Sequence, residues 1–171
     1  SCTTQDGVLP WSDGFESGMG NWTVSSGAQS NMYAATGTYS ARFQNSTGYM
    51  ELNIDLSLYQ GATDINLKFD WRNDGGWEFT DSFVVEIYNG SWSQAYVHTY
   101  NQDNFTEINV DLDNIGSLTS SYKIKFRINT DNSTEEAFVD DVLITGSIPT
   151  TPKLTGLSDA TCISPAPLTV W

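Results

Sequence analysis

The sequence predicts an all-β protein, an antiparallel β-sandwich with jelly-roll topology. Residues 65–72 and 122–128 alternate strictly between apolar and polar side chains. A period of two over this length indicates a strand with one face on the core and one in water. Turn-forming Asn, Asp and Gly residues separate these segments from other short apolar runs, and no segment has a 3.6-residue period. About eight short strands in one chain favour a sandwich of two sheets.

Six further strands follow from shorter alternating runs that are rich in β-branched and aromatic residues. Together with the two strongest segments, the predicted strands in chain order are 39–44, 49–55, 65–72, 82–88, 93–100, 107–112, 122–128 and 137–145. The turn residues 73–76 end the third of these strands. Asn89-Gly90 is a two-residue hairpin signal between the fourth and the fifth.

One domain with a short appendage accounts for the 171 residues, of which 39% are apolar. We expect a jelly-roll module over 1–147, with its core at about 9–146. The composition changes after Gly146, which predicts a Pro/Thr-rich linker and an extended, strand-like C-terminal tail over 148–171. The tail could pack back on the module, begin another domain, or add a strand to the sheet of a neighbouring molecule.

The chain carries a formal net charge of −14, with seven Lys or Arg and 21 Asp or Glu residues. This balance argues against binding to nucleic acid or to an anionic membrane surface, both of which need a basic footprint. Five of the seven bases lie on the polar sides of two predicted strands: Lys68, Arg72, Lys123, Lys125 and Arg127. If both strands belong to one sheet, these side chains form a basic stripe.

We interpret the basic residues as part of a cross-strand lattice with Asp64, Asp70 and Glu86, each pair contributing a few tenths of a kcal/mol. The alternative is a face for an acidic glycan or for an acidic patch on a neighbouring copy.

Two features favour an extracellular or cell-surface protein, the N-x-S/T sequons and the two cysteines near opposite ends of the chain, although sequons also arise by chance in a chain so rich in Asn, Ser and Thr. Five N-x-S/T sequons, which are candidate glycosylation sites, occur at Asn21, Asn45, Asn89, Asn104 and Asn132. The chain begins at Ser1 rather than Met, so we expect a mature or trimmed product. No stretch of 18 apolar residues is present.

The two cysteines lie near opposite ends of the chain, at Cys2 and Cys162, which excludes a CxxC metal or redox motif. We expect a disulfide between them, which would tie the two ends of the domain together. Pairing with cysteines of neighbouring modules and two free thiols are the alternatives.

The order of several short segments resembles the MAM-like, cleaved-adhesin and carbohydrate-binding jelly-roll modules of secreted bacterial surface proteins. The opening Gly14-Phe15-Glu16 is followed by Trp22, and the lead-in Leu9-Pro10-Trp11 is similar to that of adhesin modules. The resemblance covers about 9–146. The remaining segments that carry it are Gly37-Thr38-Tyr39-Ser40-Ala41, Phe69-Asp70-Trp71 and Val139-Asp140-Asp141-Val142.

This resemblance implies one structural calcium ion, a cation that takes six to eight oxygen ligands from carboxylates and backbone carbonyls. The ligands carried over are Glu16 and Asp140 or Asp141, with backbone oxygens between Gly37 and Ser40. In a regular strand Asp140 and Asp141 point to opposite faces, so that both cannot bind one ion. The alternative is that these are edge acids facing solvent.

Little in the sequence supports catalysis, and we expect no enzyme. His98 is the one histidine, and neither a nucleophile elbow nor a phosphate-binding glycine loop is present. A polysaccharide-active enzyme is an alternative, with Asp70, Asp74, Glu78 and Asp81 as the acids nearest to tryptophans.

Glycan binding needs aromatic faces for the C–H side of a sugar and planar polar groups for its hydroxyls. The candidates are Trp77, Trp92 and Tyr96, with Arg72 and Asp74. We therefore expect a non-catalytic adhesion or carbohydrate-binding module whose partner is a glycan or surface receptor. The alternative from a third class is a structural subunit of an extracellular fibre or surface layer, assembled through the C-terminal tail.

Overall fold

The protein is a sandwich of two antiparallel β-sheets in the computed structural model, which describes residues 9–150. The predicted tail beyond 150 and the Cys2–Cys162 disulfide lie outside these residues. The strands are β1 (Trp11–Asp13), β2 (Thr23–Ser25), β3 (Gly27–Ser30), β4 (Ser40–Phe43), β5 (Tyr49–Ile54), β6 (Asn66–Asp74), β7 (Ser82–Tyr88), β8 (Trp92–His98), β9 (Thr106–Asp111), β10 (Tyr122–Asn129) and β11 (Glu136–Thr145).

One sheet has six strands in the order β3-β4-β11-β6-β9, with β1 also paired to β11. The other has five strands in the order β2-β5-β10-β7-β8. All strand pairs are antiparallel. Within the described residues no helix is long and apolar enough to cross a membrane.

The prediction of an all-β antiparallel sandwich is confirmed, and each of the eight predicted strands is present. Strands β1, β2 and β3 and a single 3-10 turn at Ser57–Tyr59 were not predicted. These three strands have only three or four residues each, which is too short for a period of two to be recognised.

Aromatic side chains fill the space between the sheets. Trp71 on β6 stacks on Phe83 of β7, with ring centroids 4.4 Å apart and planes inclined by 5°. Phe69 meets Phe126 edge to face at 4.9 Å. All four rings are completely buried, and burying one such side chain stabilises the fold by about 1.5–3 kcal/mol.

The five bases do not form one basic stripe, because the two strands that carry them belong to different sheets and the condition for a stripe is not met. Strand β6, with Lys68 and Arg72, lies in the six-stranded sheet, whereas β10, with Lys123, Lys125 and Arg127, lies in the five-stranded sheet. A period of two tells which side of a strand faces water and gives no information on the sheet to which the strand belongs.

A β-bulge interrupts β11 between Asp140 and Leu143. It lies where β11 changes partner, since residues 137–139 pair with β4 and residues 142–144 pair with β1. Asp141 has a φ of +47° within the bulge, so the strict alternation of faces fails at this point. The bulge therefore re-aims the two neighbouring aspartates.

Candidate functional site

The outer surface of the five-stranded sheet, called here the five-stranded face, carries aromatic and charged side chains in cross-strand rows. Inward residues of β5, β7 and β10 are buried, so the alternate residues point outward. The registers place these outward residues in three rows, namely Trp92–Tyr88–Lys123–Asn53, Gln94–Glu86–Lys125–Glu51–Thr23 and Val97–Val84–Arg127–Tyr49–Ser25.

Trp92 lies at the edge of this face and is 40% exposed. The ammonium nitrogen Nζ of Lys125 is 3.7 Å from the centroid of the Trp92 ring and 5.2 Å from that of Tyr49. The rings of Trp92 and Tyr88 are 5.3 Å apart. The two cation–π contacts link Trp92 and Tyr49 through Lys125, and the ring contact joins Tyr88 to Trp92.

Two acids neutralise most of the positive charge on the five-stranded face. Glu51 contacts Lys123 at 2.7 Å and Lys125 at 3.2 Å through its two oxygens. Burial would raise the pKa of Glu51, but the hydrogen bonds from both lysines outweigh it and hold that pKa below its ordinary value. Arg127 pairs with Glu86 at 2.9 Å.

Of the predicted lattice partners, Glu86 takes part in such a pair. Asp64 instead accepts a hydrogen bond from the backbone N–H of Ser147, and Lys68 pairs with Glu107 at 2.8 Å. Asp70 is not a member of any described ion pair.

The predicted glycan ligands are not brought together. Trp92 lies on the five-stranded face, but Tyr96 turns inward against Phe69 and Phe83 because a bulge in the β7–β8 pairing changes the face of β8. Trp77 is only 6% exposed and packs on Trp71, with ring centroids 6.2 Å apart. Its ring therefore anchors the glycine-rich turn to the core and offers little surface to a ligand.

Arg72 and Asp74 lie on the opposite side of the sandwich, on the outer surface of the six-stranded sheet. The Arg72 guanidinium carbon is 3.6 Å from the centroid of the Tyr33 ring, and the Tyr33 hydroxyl donates a hydrogen bond to Asp74 at 2.8 Å. The same ring meets the buried Phe138 edge to face. These contacts hold the β3–β4 loop against the sheet. Arg72 and Asp74 therefore have a structural role, as partners of Tyr33, that the sequence did not indicate.

Tyr49 and Tyr88 are members of the five-stranded face that sequence reasoning missed. Each occupies a polar-side position of an alternating strand, two residues from Glu51 and Glu86 respectively. An aromatic residue at a position that alternation assigns to solvent is the signal that could have identified them.

The predicted calcium ligands surround one loop. Asp140 accepts hydrogen bonds from the N–H groups of Ala35 at 2.8 Å and Thr36 at 3.2 Å, and Asp141 accepts one from the Thr36 hydroxyl at 2.8 Å. The bulge thus lets both aspartates reach the same residue, although in a regular strand they would diverge. Glu16 accepts hydrogen bonds from the N–H groups of Thr38 and Tyr39, both at 2.8 Å.

These contacts limit what a cation could bind there. Both oxygens of Asp140 already accept backbone N–H groups, whereas Glu16 and Asp141 each keep one oxygen without a hydrogen-bond donor within residues 9–150. Gly37 has a φ of +63°, and a side chain there would strike the Glu16 carboxylate. The Ser40 hydroxyl donates to the carbonyl of Tyr33 at 2.6 Å. Glu16, Asp140 and Asp141 do not form a group whose ligand oxygens all lie within 4.8 Å of one another, so calcium binding at this position stays a prediction.

A second acidic group, which the sequence analysis did not identify as a metal site, could hold a metal ion. Ligand oxygens of Glu78, Asp81, Asp131 and Glu135, called here the acidic cluster, all lie within 4.8 Å of one another. Asp81 and Glu135 are buried, and burial together with the neighbouring acids raises the pKa of Glu135. None of the ion pairs within 9–150 includes a carboxylate of this cluster.

The sequon asparagines lie at the surface in four of the five cases. Asn21, Asn45, Asn104 and Asn132 are exposed. Asn89 is half-buried, and its side-chain amide donates a hydrogen bond to the carbonyl of Ile115. Glycosylation at these positions stays a prediction.

No family model matches this chain, and no curated protein matches it. Solved structures do match. The K2 cleaved adhesin domain of Lys-gingipain is 17% identical, with a TM-score of 0.60 over 80% of this chain and 99% of that one. A family 61 carbohydrate-binding module solved with β-1,4-galactotriose is 18% identical, with a TM-score of 0.58 over 78% of this chain and 94% of that one.

A xylan-binding domain of carbohydrate-binding module family 22 is similar as well. It is 11% identical to this chain, with a TM-score of 0.58 over 85% of this chain and 100% of that one. At such identities the likeness concerns the fold. This chain therefore has the jelly-roll fold of carbohydrate-binding modules and cleaved adhesin domains, as the resemblance in its sequence implied.

Proposed function

We propose that this protein is a non-catalytic carbohydrate-binding or adhesion module and that the five-stranded face is its binding surface. The observation that carries the proposal is the arrangement of Trp92 and Tyr49 around Lys125 on that face, with Tyr88 beside Trp92. Sugars bind on aromatic rings through their C–H faces and through hydrogen bonds between their hydroxyls and planar polar groups. The five-stranded face offers both kinds of group on a rigid sheet.

The rigidity of this face supports binding with little loss of conformational freedom. Lys125 is held by Trp92, Tyr49 and Glu51, so its position is fixed before a ligand arrives. A preorganised site loses less side-chain entropy on binding than a flexible one. The solved structures of similar fold, which include a galactotriose complex and a xylan-binding domain, add support from the fold alone.

An extracellular or cell-surface location is part of the same proposal. Glycans and surface receptors are the partners that such a module would meet there. The exposed sequons and the similarity of the fold to cleaved adhesin domains support this location.

A structural calcium ion also belongs to the proposal, and the acidic cluster is the better supported of its two possible positions. Four carboxylates within 4.8 Å repel one another, and a divalent cation would remove that repulsion. Backbone hydrogen bonds do not distinguish the two positions, because both oxygens of Asp140 and both oxygens of Asp81 accept N–H groups. Glu16, Asp140 and Asp141, with carbonyls between Gly37 and Ser40, stay as the second proposed position.

Calorimetric titration with β-1,4-galactotriose and with xylotriose tests the binding surface. We expect Trp92→Ala to weaken binding of whichever sugar the protein takes by at least about tenfold, equivalent to about 1.4 kcal/mol. Phe79→Ala is the matched control, because Phe79 is 77% exposed and lies outside the five-stranded face. Equal binding by the wild type and Trp92→Ala, or a loss confined to Phe79→Ala, would contradict the proposal.

A further inference from the structure

The five-stranded face has an excess of positive charge on a strongly acidic protein. Its outward residues include three bases, Lys123, Lys125 and Arg127, and two acids, Glu51 and Glu86. The whole chain has seven bases against 21 acids. The proposed binding surface is therefore electrostatically unlike the rest of the molecule.

The opposite outer surface has the reverse balance. On the six-stranded sheet the outward residues that reach solvent carry five acids against three bases, and the buried Asp140 is a sixth outward acid. The five acids are Asp70, Asp74, Glu107, Asp111 and Glu136, and the bases are Arg42, Lys68 and Arg72. An anionic ligand would thus be attracted to one side of the sandwich and repelled by the other.

The excess charge can be assigned to a particular pair of lysines. Arg127 and Glu86 neutralise each other at 2.9 Å. Glu51 is shared by Lys123 and Lys125, so two ammonium groups have one carboxylate between them. One positive charge on this face is therefore not balanced by an acid of the face. Lys123 has the more accessible side chain, at 32% exposed against 18% for Lys125.

This charge lies in line with the aromatic rings. Trp92, Tyr88 and Lys123 are in register on three adjacent strands, and adjacent strands are about 4.8 Å apart. The Lys123 ammonium is 5.8 Å from the centroid of the Tyr88 ring. A chain of sugar rings laid along this row would contact two aromatic residues and then reach the ammonium of Lys123.

We propose that the five-stranded face selects acidic glycans, namely oligosaccharides that contain uronic acid. The sugar rings would lie on Trp92 and Tyr88, and one carboxylate would pair with the ammonium of Lys123, with Lys125 close behind it. This inference rests on the proposed function, since it names the class of glycan that the same surface takes.

Trigalacturonic acid and its methyl ester provide the test, because they share ring, linkage and length and differ in charge. Calorimetric titrations at low salt should show the acid binding about fivefold more tightly than the ester, the effect of about 1 kcal/mol expected for one ion pair. Added salt should reduce the preference, since it screens exposed charges. Lys123→Gln should make acid and ester equal, whereas Lys68→Gln, on the other sheet, should keep the preference.

The outcomes separate this inference from the proposed function. If the acid and the ester bind the wild type equally and Trp92→Ala weakens both, the preference is absent while the glycan-binding surface stands. If neither compound nor any neutral glycan binds through Trp92, the proposed function fails as well. If Lys123→Gln abolishes self-association of the protein and leaves sugar binding unchanged, the positive charge serves a second copy of this chain, and the inference is overturned. Circular dichroism checks that each variant is folded.

Discussion

The carboxylate of Asp140 accepts a hydrogen bond at 2.8 Å from the backbone N–H of Ala35, which lies 105 residues earlier in the chain. The same carboxylate accepts further N–H groups from Thr36 and Asp141. Burial raises the pKa of Asp140 to about 6, although these three hydrogen bonds act in the opposite direction. The bulge of β11 and the β3–β4 loop are thus fastened together by one buried acid.

Replacing Asp140 with Asn should destabilise the protein by about 1–3 kcal/mol. The Asn side chain has one acceptor oxygen, and its NH2 group would face a backbone N–H donor whose hydrogen bond the second carboxylate oxygen of Asp140 accepts. Urea denaturation in EDTA would measure the free energy of unfolding without any metal contribution. Asp103→Asn is the control, since Asp103 is exposed and surface changes usually stay within about 0.5 kcal/mol. Equal stability of Asp140→Asn and the wild type would contradict the role of this residue.

His98 should make the protein less stable as the pH falls below about 6.5. Burial against Trp71 lowers the pKa of His98 in the folded state, whereas the unfolded chain binds the proton near pH 6.5. The unfolded state therefore binds more protons in this range, and acid favours unfolding. His98→Phe keeps a ring beside Trp71 and removes the titration.

Thermal and urea unfolding of both proteins between pH 5 and 7.5 would measure this effect. We expect the stability of His98→Phe relative to the wild type to increase as the pH falls. Because the chain has one histidine, the difference between the two curves isolates this group. A difference that does not change with pH would show that His98 titrates alike in both states.

Trp77 and Trp92 should respond differently to truncation. Trp77 is 6% exposed and packs on Trp71, so Trp77→Ala should cost about 3–5 kcal/mol of stability. Trp92 is 40% exposed at a sheet edge, and Trp92→Ala should cost less. Urea denaturation compares the two directly. Similar costs would mean that Trp77 lies outside the core.

Calcium should raise the melting temperature, because a ligand that binds the folded state stabilises it by about 2.7 kcal/mol at a concentration of 100 times its Kd. Differential scanning calorimetry with calcium and with EDTA measures the shift. Glu135→Gln should abolish the shift if the ion is held by the acidic cluster, while Glu16→Gln should retain it.

The reverse pattern, with the shift lost in Glu16→Gln and retained in Glu135→Gln, would place the ion at the ligands that the family resemblance implies. An unchanged melting temperature in calcium and EDTA would contradict a structural calcium ion that EDTA can remove.

Much of the sandwich could be predicted because its long strands alternate between core and solvent. Residues 122–128 show this alternation without interruption, and β10 has the expected buried and exposed faces. The sheet to which each strand belongs could not be predicted, since Lys68 and Lys123 have equivalent local patterns and lie on opposite sides of the molecule. Pairing depends on contacts between residues that are distant in the sequence.

The candidate site was predictable only where local sequence determines exposure. Trp92 follows the Asn89-Gly90 turn and is 40% exposed. Trp77 also follows glycines, but its exposure depends on how the turn folds back onto Trp71 of the preceding strand β6. Tyr96 faces inward because of a bulge in the β7–β8 pairing, and no residue type in β8 indicates that bulge. The exposure of Trp77 and Tyr96 is therefore determined by side-chain packing and irregular strand pairing, which the pattern of turn residues does not predict.

The most direct test of the proposed binding surface is the indole N–H signal of Trp92 in a two-dimensional nitrogen–proton NMR spectrum during titration with trigalacturonic acid or a neutral oligosaccharide. The chain has six tryptophans, and the signal lost in Trp92→Phe identifies this residue. We predict that the Trp92 signal and the amides of β7, β8 and β10 shift on binding, while the indoles of Trp71 and Trp77 do not. Shifts confined to the outer surface of the six-stranded sheet, with Trp92 unchanged, would contradict the account.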